Sequence, residues 1–537
     1  MANATRVGEE RMNMFFQTLQ DELNCQVHHS GHTREAVQRQ VERARKKARY
    51  VRPELDELAV NAFARENESL KGFTPSLPAQ VVRDARHFIT TMLERYNAKR
   101  DEDLIQVTLD RSHLLDLWRF GPGASNGVKG THTADKIYQH MTCTTQAEPL
   151  VRKLRLRDFY LSAFDCVKGS EGVTLISGSK LATVPKNEST ARTIAIEPSG
   201  NMCLQLAAGA YLEAAMRGVG LDIRSQQPKN KAKAERASHA GDLATIDLKS
   251  ASDRISIPLV RSLMPPDWFA LLMQIRSDSM QLPGGRGEVT LNMISTMGNG
   301  FTFPLMTLLI VALIYGMRAQ KPRTPNLYID WSDTAVFGDD IIVPVAEYAD
   351  ICELLIKAGF IVNADKSYSE GPFRESCGGD YWLGRDITPF YVKRLQNDPD
   401  IYVAINQLLE WMAFHNVFLP RSLRVLLSFL DEVFLVPEWL QPYSGIRSSR
   451  CPRQFKYIQA QPSRVRLRDE YFAMKLICGG YIEGQGPDMF YTPRPKDLVK
   501  TCVRRSRLPK CYLDGADPLT RSATYSARIE FFLSAVL

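Results

Sequence analysis

Two adjacent carboxylates, Asp339 and Asp340, follow Phe337-Gly338 and lie between the apolar runs Thr334-Ala335-Val336 and Ile341-Ile342-Val343. This pattern predicts strand, tight turn, strand, with glycine at the turn position that needs a positive φ. The turn presses the two acids together at its tip. Carboxylates about 4 Å apart repel by roughly 4 kcal/mol at an effective dielectric near 20. A fold keeps such a pair when a cation offsets the repulsion, and Mg²⁺ matches the hardness of oxygen donors. A third acid, Asp247, closes the apolar run Leu243-Ala244-Thr245-Ile246. A carboxylate at a strand end can face a hairpin tip on the neighbouring strand, so Asp247 and Asp339, with or without Asp340, are expected around one or two Mg²⁺ ions, with Mn²⁺ as a substitute. Two such ions activate a hydroxyl and stabilise a leaving oxygen during in-line displacement at phosphorus.

Other groups suit the same chemistry. Lys186 and Arg192 stand six residues apart on a segment expected to be extended, where two cations would hold a triphosphate. Ser295-Thr296-Met297-Gly298-Asn299-Gly300 precedes a long apolar helix. Its glycines would let backbone approach a ribose or template base, with Ser295 and Asn299 as polar contacts. Lys366, in Asn363-Ala364-Asp365-Lys366-Ser367, could donate a proton to a departing pyrophosphate or stand as an ordinary exposed lysine.

The elements that must position these groups are read from periodicity. Residues 1 to about 110 look helical. The interval 243–390 alternates short strands and helices: a strand over 243–248, a helix over 300–317, a hairpin over 327–345, a helix over 348–359 and a second hairpin over 373–393 with Cys377-Gly378-Gly379 at its turn. That order predicts an α+β fold, with helices packed on one face of a small antiparallel sheet. Beyond about 391 the pattern turns mostly helical. The stretch 447–510 is basic and interleaved with aromatic residues, among them Arg464, Arg466, Arg468, Tyr471 and Tyr481, which suits a nucleic-acid surface as well as a solvated periphery.

Composition narrows the field. The chain has 537 residues, a net charge of +8, and ten cysteines without a C-x-x-C pair. Its length calls for several subdomains, its charge favours polyanionic partners, and scattered thiols suit a reducing compartment. Phe301 to Met317 carries no charge, but it is short for a bilayer and holds Pro304, so a buried helix is expected. The G-x-S-x-G match at Gly123–Gly127 lacks the strand and helix of a nucleophile elbow, because Pro122 and Gly130 flank it. Cys25, His28, His29 and His32 have no second ligand pair at zinc-finger spacing. No G-x-x-x-x-G-K-[ST] sequence occurs.

In order along the chain, Val184-Pro-Lys-Asn, Arg192, Ile196-Glu-Pro198, Ala244-Thr-Ile-Asp-Leu, Ser250-Ala-Ser-Asp253, Ser295-Thr-Met-Gly-Asn-Gly-Phe-Thr-Phe, Phe337-Gly-Asp-Asp-Ile-Ile and Phe373-Arg-Glu-Ser-Cys-Gly378 resemble the replicase β-subunits of small RNA bacteriophages, the levivirus group. The resemblance runs from about 180 to 395. It implies an RNA-dependent RNA polymerase with a right-hand fold. Residues 1–240 would form an N-terminal region and fingers, 241–390 the palm with a fingers insertion near 255–290, and 391–537 the thumb and C-terminal region. By the same resemblance Asp247, Asp339 and Asp340 are metal ligands, and Lys186 and Arg192 face the incoming nucleotide. Ser295, Gly298 and Asn299 sense ribose and template, Lys366 lies near pyrophosphate, and Arg374 and Cys377 support the growing strand's end. Two positions depart from the usual pattern. Phe337 stands where tyrosine is common, and Asp253 lies six residues after Asp247 rather than five, as a ribose-sensing or structural acid. The implied partners are RNA, nucleoside triphosphates, host elongation factors Tu and Ts and ribosomal protein S1, in the cytoplasm of a bacterial host and away from any membrane. Synthesis of DNA from RNA shares paired palm acids, and non-catalytic RNA binding shares the basic charge. Ribonucleotide against deoxynucleotide incorporation separates these readings.

Overall fold

The computed structural model describes residues 2–30, 34–46, 53–131, 135–136, 139–158, 161, 172–187, 189–319, 331–436, 438, 442–449 and 523–537. Helices α1 (Ala2–Ser30), α2 (Arg34–Lys46), α3 (Pro53–Ser69) and α4 (Ala79–Arg100) come first. A hairpin of β1 (Ser179–Pro185) and β2 (Ala191–Ile196) leads to α5 (Ser199–Arg217) and α6 (Ile223–Ala240). Then follow β3 (Leu243–Ile246), β4 (Leu248–Lys249), β5 (Ser279–Gln281), β6 (Glu288–Thr290) and α7 (Thr302–Arg318). The acidic hairpin is β7 (Ala335–Phe337) and β8 (Asp340–Pro344), followed by α8 (Tyr348–Ala358), β9 (Ile361–Val362), β10 (Phe373–Ser376) and β11 (Gly379–Trp382). Helices α9 (Asp398–His415), α10 (Pro420–Leu427) and α11 (Ala523–Ser534) complete the described chain. The fold is α+β, as the alternation of patterns predicts.

The central sheet is small and antiparallel, in the order β3-β8-β7. Its register sets Ile341 opposite Ile246 and Asp340 opposite Phe337. Helices cover both faces rather than one. Ile341 and Val343 pack in one core with Leu305, Leu309 and Ala312 of α7 and with Leu355 of α8. Ile342 points the other way, into a core with Ala234 and Ala237 of α6. The reason lies in β3, which is buried along its whole length. A continuous apolar run, without polar alternation, has no face to offer to water.

The strand expected over 243–248 is split at Asp247. Before it β3 pairs with β8, and after it β4 pairs with β9. Asp247 therefore sits where the chain changes partner. Helix α7 is apolar around its circumference and buried along most of its length, as a core helix must be. Among the described residues no helix is long and apolar enough to cross a membrane.

A second sheet, in the order β2-β1-β5-β6, joins the 179–196 hairpin to residues 279–290. The ends of the chain also meet. Phe15, Phe16 and Leu19 of α1 share a core with Ile405 and Leu409 of α9, Leu423 of α10 and Ile529 of α11. Buried Glu22 accepts hydrogen bonds from the Arg421 and Ser422 amides, both at 2.8 Å, at the start of α10, where a carboxylate suits the helix dipole. Ser125 is buried in an irregular loop, with Asn126 bridged to Pro198, and not at a strand-to-helix turn. Cys25 is exposed, whereas the His28, His29 and His32 side chains and most of the basic, aromatic stretch 447–510 lie outside the described residues.

Candidate active site

Gly338 and Asp339 form the two-residue turn between β7 and β8. Gly338 has φ +63°, and a Cβ on it would lie 2.3 Å from the Phe303 ring, so only glycine fits. The same ring packs edge-on against Phe337 with centroids 4.7 Å apart. The β3–β8 register ends at Ile341 opposite Ile246, so Asp340 and Asp247 adjoin the last pair, close enough for their charges to interact.

The environments of the three acids differ. Asp247 accepts from the Asn363 side-chain amide at 2.5 Å and lies 3.9 Å from Lys366 Nζ. Burial pushes its carboxyl above the usual range, Lys366 and Asn363 oppose that, and the charges of Asp339 and Glu375 reinforce it. Asp340 accepts from the Cys377 amide at 2.8 Å, at the β10–β11 turn. Burial raises its carboxyl to about 7 against that hydrogen bond, with help from Asp339 and Asp247. A cavity of about 710 Å³ is lined by Asp247, Asp253 and Asp339, and by Lys186, Arg192 and Lys366. Asp340 is outside that lining.

Lys186 and Arg192 are on the two arms of a hairpin, not on one extended segment. Val184 pairs with Arg192, and the Lys186 and Asn187 amides close the turn on Thr190 O at 3.0 and 3.1 Å. Both basic side chains are exposed. Both line the cavity together with acids that lie more than fifty residues further along the chain.

The 295–300 loop lies against β2. Ala195 donates its amide to Met297 O at 2.7 Å, and Gly298, at φ +112°, would place a Cβ 2.3 Å from Ala195 O. The close approach expected of this glycine is thus made to β2. Gly298 and Asn299 line the cavity, whereas Ser295 is buried and outside the lining. The Asn299 amide is engaged at both ends, accepting from Thr296 N at 2.9 Å and donating to Glu197 Oε1 at 3.0 Å. Thr296 donates its hydroxyl to Asp253, whose carboxyl burial raises to about 6 against this bond and one from the Met297 amide.

Two residues of this network were absent from the expected site. Glu197 is fully buried and also accepts from Ser277 at 2.7 Å and Gln205 at 3.0 Å, and burial raises its carboxyl. A carboxylate next to the strand Ala191–Ile196 was the available signal. Asn363, the partner of Asp247, gave no signal of its own beside Lys366. Arg374, expected beside the growing strand, is buried and donates to five carbonyl oxygens, those of Leu243, Ser369, Glu370, Gly371 and Phe373. It staples the approach to β10.

Among the described residues no three His, Cys, Asp or Glu side chains form a cluster able to hold a metal ion. Magnesium does not need one, because it is commonly bound by one or two carboxylates together with water and substrate phosphates. Asp247 and Asp339 supply such a pair of hard donors on one cavity, and the charge of Asp339 helps hold the Asp247 carboxyl up, a repulsion that a cation between them would relieve. The donor set fits Mg²⁺ shared with a phosphorylated substrate.

The family model for RNA replicase, beta-chain, matches residues 57–442. The RNA-directed RNA polymerase subunit beta of Escherichia virus Qbeta is 38% identical over 331 residues, covering 61% of this chain and 53% of the relative. That of Enterobacteria phage SP is 41% identical over 317 residues, covering 58% and 52%. The RNA-directed RNA polymerase beta chain of Escherichia phage MS2 is 35% identical over 329 residues, covering 60% and 58%. The chain spans about half the length of the curated relatives it matches. The crystal structure of the RNA-dependent RNA polymerase of a human picorbirnavirus is similar at a TM-score of 0.33 and 14% identity, over 47% of this chain and 56% of that one, a likeness too remote to carry weight.

Proposed function

The chain belongs to the RNA replicase beta-chain family, and we propose that it synthesises RNA on an RNA template from nucleoside triphosphates, releasing pyrophosphate in phage genome replication. The observation that carries this reading is the shared cavity, which Asp247, Asp339, Lys186 and Arg192 all line. Magnesium held by the two acids with the nucleotide's phosphates, or manganese in its place, would supply Lewis acidity at the attacking 3′-hydroxyl and the leaving phosphate oxygen.

The side chains do the positioning. Lys186 and Arg192 neutralise and orient the triphosphate, as Lys and Arg clamps do in other phosphoryl transfers. Lys366 holds a proton at Nζ for the departing pyrophosphate, and at 3.9 Å its charge also tempers Asp247. Asp253, tied to Thr296, forms the sugar-side wall. Gly298 and Asn299 shape that wall through the loop's fit on β2, and Ser295 supports it from within. Asp340 steadies the acidic turn against the β10–β11 turn through the Cys377 amide.

In this reading residues 241–390 are the palm. The β2-β1-β5-β6 sheet and α3 are fingers, and residues beyond 391 are a thumb that shares its core with α1 and α2. RNA template and product are the macromolecular ligands. Host elongation factors Tu and Ts and ribosomal protein S1 are the proposed protein partners, in the cytoplasm of a bacterial host.

The full-length chain, isolated with the proteins that accompany it from bacterial cells, is to be given an RNA template, Mg²⁺ and labelled ribonucleotides or deoxynucleotides. Ribonucleotides alone should be incorporated. Asp339→Asn should keep the wild-type melting temperature and lose nearly all incorporation. Full activity in that variant refutes the assignment, and preference for deoxynucleotides refutes the choice of product.

A further inference from the structure

We infer that Thr307, a buried α7 residue that does not line the cleft, is a positioning residue for Asp339. In a two-residue hairpin the bond that closes the turn joins the flanking residues, Phe337 and Asp340, and leaves the N–H of the first turn residue without a partner on its own ladder. That residue is Gly338, which is buried, so water cannot serve it. Thr307 Oγ1 accepts this N–H at 3.0 Å. The Thr307 hydroxyl proton is given to Phe303 O at 2.9 Å, which leaves an oxygen lone pair for Gly338. Phe303 closes the other side, since its ring fills the space where a Cβ on Gly338 would lie. One turn of α7 therefore grips the residue before Asp339 through a hydrogen bond and a ring contact.

The same helix is tied to the sugar-side wall. Thr302, at its first turn, donates to Thr296 O at 2.9 Å, and Thr296 donates to Asp253. Helix α7 thus holds both the loop that lines the cavity and the turn that presents Asp339. Thr307 makes the second connection, and its own side chain is fully buried.

The inference rests on the polymerase reading and concerns how its acid is held. The test compares Thr307→Val, which keeps the shape and removes the acceptor, with Thr307→Ser, which keeps the acceptor. Both full-length variants are examined for melting temperature, kcat and KM for nucleotide, and direct binding of Mn²⁺ by loss of the free-ion electron paramagnetic resonance signal, without RNA or nucleotide. Thr307→Val should lower kcat about ten- to hundredfold, the scale expected for a misplaced catalytic group, with KM within about twofold. It should also weaken Mn²⁺ binding several-fold, and Thr307→Ser should restore both. If valine prevents folding, Thr307→Ala is to show the same split. Wild-type kcat and Mn²⁺ binding in the valine variant overturn the inference, as does a serine variant as impaired as valine. A wild-type chain that incorporates no nucleotide defeats the polymerase reading, whereas an active wild type matched by Thr307→Val defeats only the role of Thr307.

Discussion

Asn363 donates its side-chain amide to Asp247 Oδ2 at 2.5 Å, and its backbone N–H to Asp247 O at 2.9 Å, from a residue 116 positions further along the chain. The double contact holds the acid where β3 gives way to β4. It also offsets part of the penalty that burial places on the Asp247 carboxylate. Asn363→Ala should therefore lower the melting temperature, since a hydrogen bond to a charged group contributes about 1.5–3 kcal/mol to stability, and a misplaced acid should lower kcat by about tenfold or more. Asn363→Asp, which sets a second carboxylate against Asp247 in place of a donor, should be worse than alanine in a steady-state incorporation assay.

The acidic turn is intolerant of any side chain before Asp339. Gly338→Ala meets both the positive φ and the Phe303 ring. It should lose about 1–3 kcal/mol of stability and most of its activity. Denaturant unfolding and incorporation, measured on the same preparation, check both parts.

Asp253 carries a pH signature. Its folded carboxyl titrates at about 6, against 3.8 for the ordinary side chain, because burial outweighs the bonds from Thr296 and the Met297 amide. The folded chain therefore binds more protons at this residue than the unfolded chain between about pH 4 and pH 6. The Asp253 contribution to stability falls as pH rises through that window and is flat above it. Asp253→Asn removes this slope. The stability of the variant minus that of the wild type should rise between pH 4 and 6, by on the order of 1–3 kcal/mol, and then level off. A flat difference across the window would contradict the burial argument.

Arg43 fastens α2 to the β10–β11 hairpin. Its guanidinium lies 2.6 Å from Asp380 and 2.7 Å from Glu375 Oε2, and the Asp380 side chain is 1% exposed. Arg43→Ala removes a cationic partner from the buried Asp380, which should cost about 3 kcal/mol. Limited proteolysis should release residues 1–46 faster. Adding Asp380→Asn to the alanine variant should recover part of the loss, as expected for residues that share one interaction.

Local patterns in the sequence determined much of the site. The acidic turn, its glycine, the buried helix behind it and the second hairpin at Cys377-Gly378 depend on neighbours within a few residues, where periodicity and turn chemistry act. The ordered motifs also placed Asp247, Asp253, Asp339, Lys186 and Arg192 in one reading, and all five line the same cavity. Tertiary structure decided which way each side chain faces and what holds it. Pleat and register bring Asp340 to the Cys377 amide rather than to the cavity lining, a consequence of strand pairing that no single segment contains. Gly298 serves a close approach to Ala195, and the Asn299 amide is engaged by Thr296 and Glu197. The joining of α1 and α2 to α9 was likewise illegible, because an amphipathic helix declares that it has a partner but not which one. Hydrogen bonds and cores made across hundreds of residues depend on where the whole chain folds back, and that is settled only when all the apolar faces are buried together.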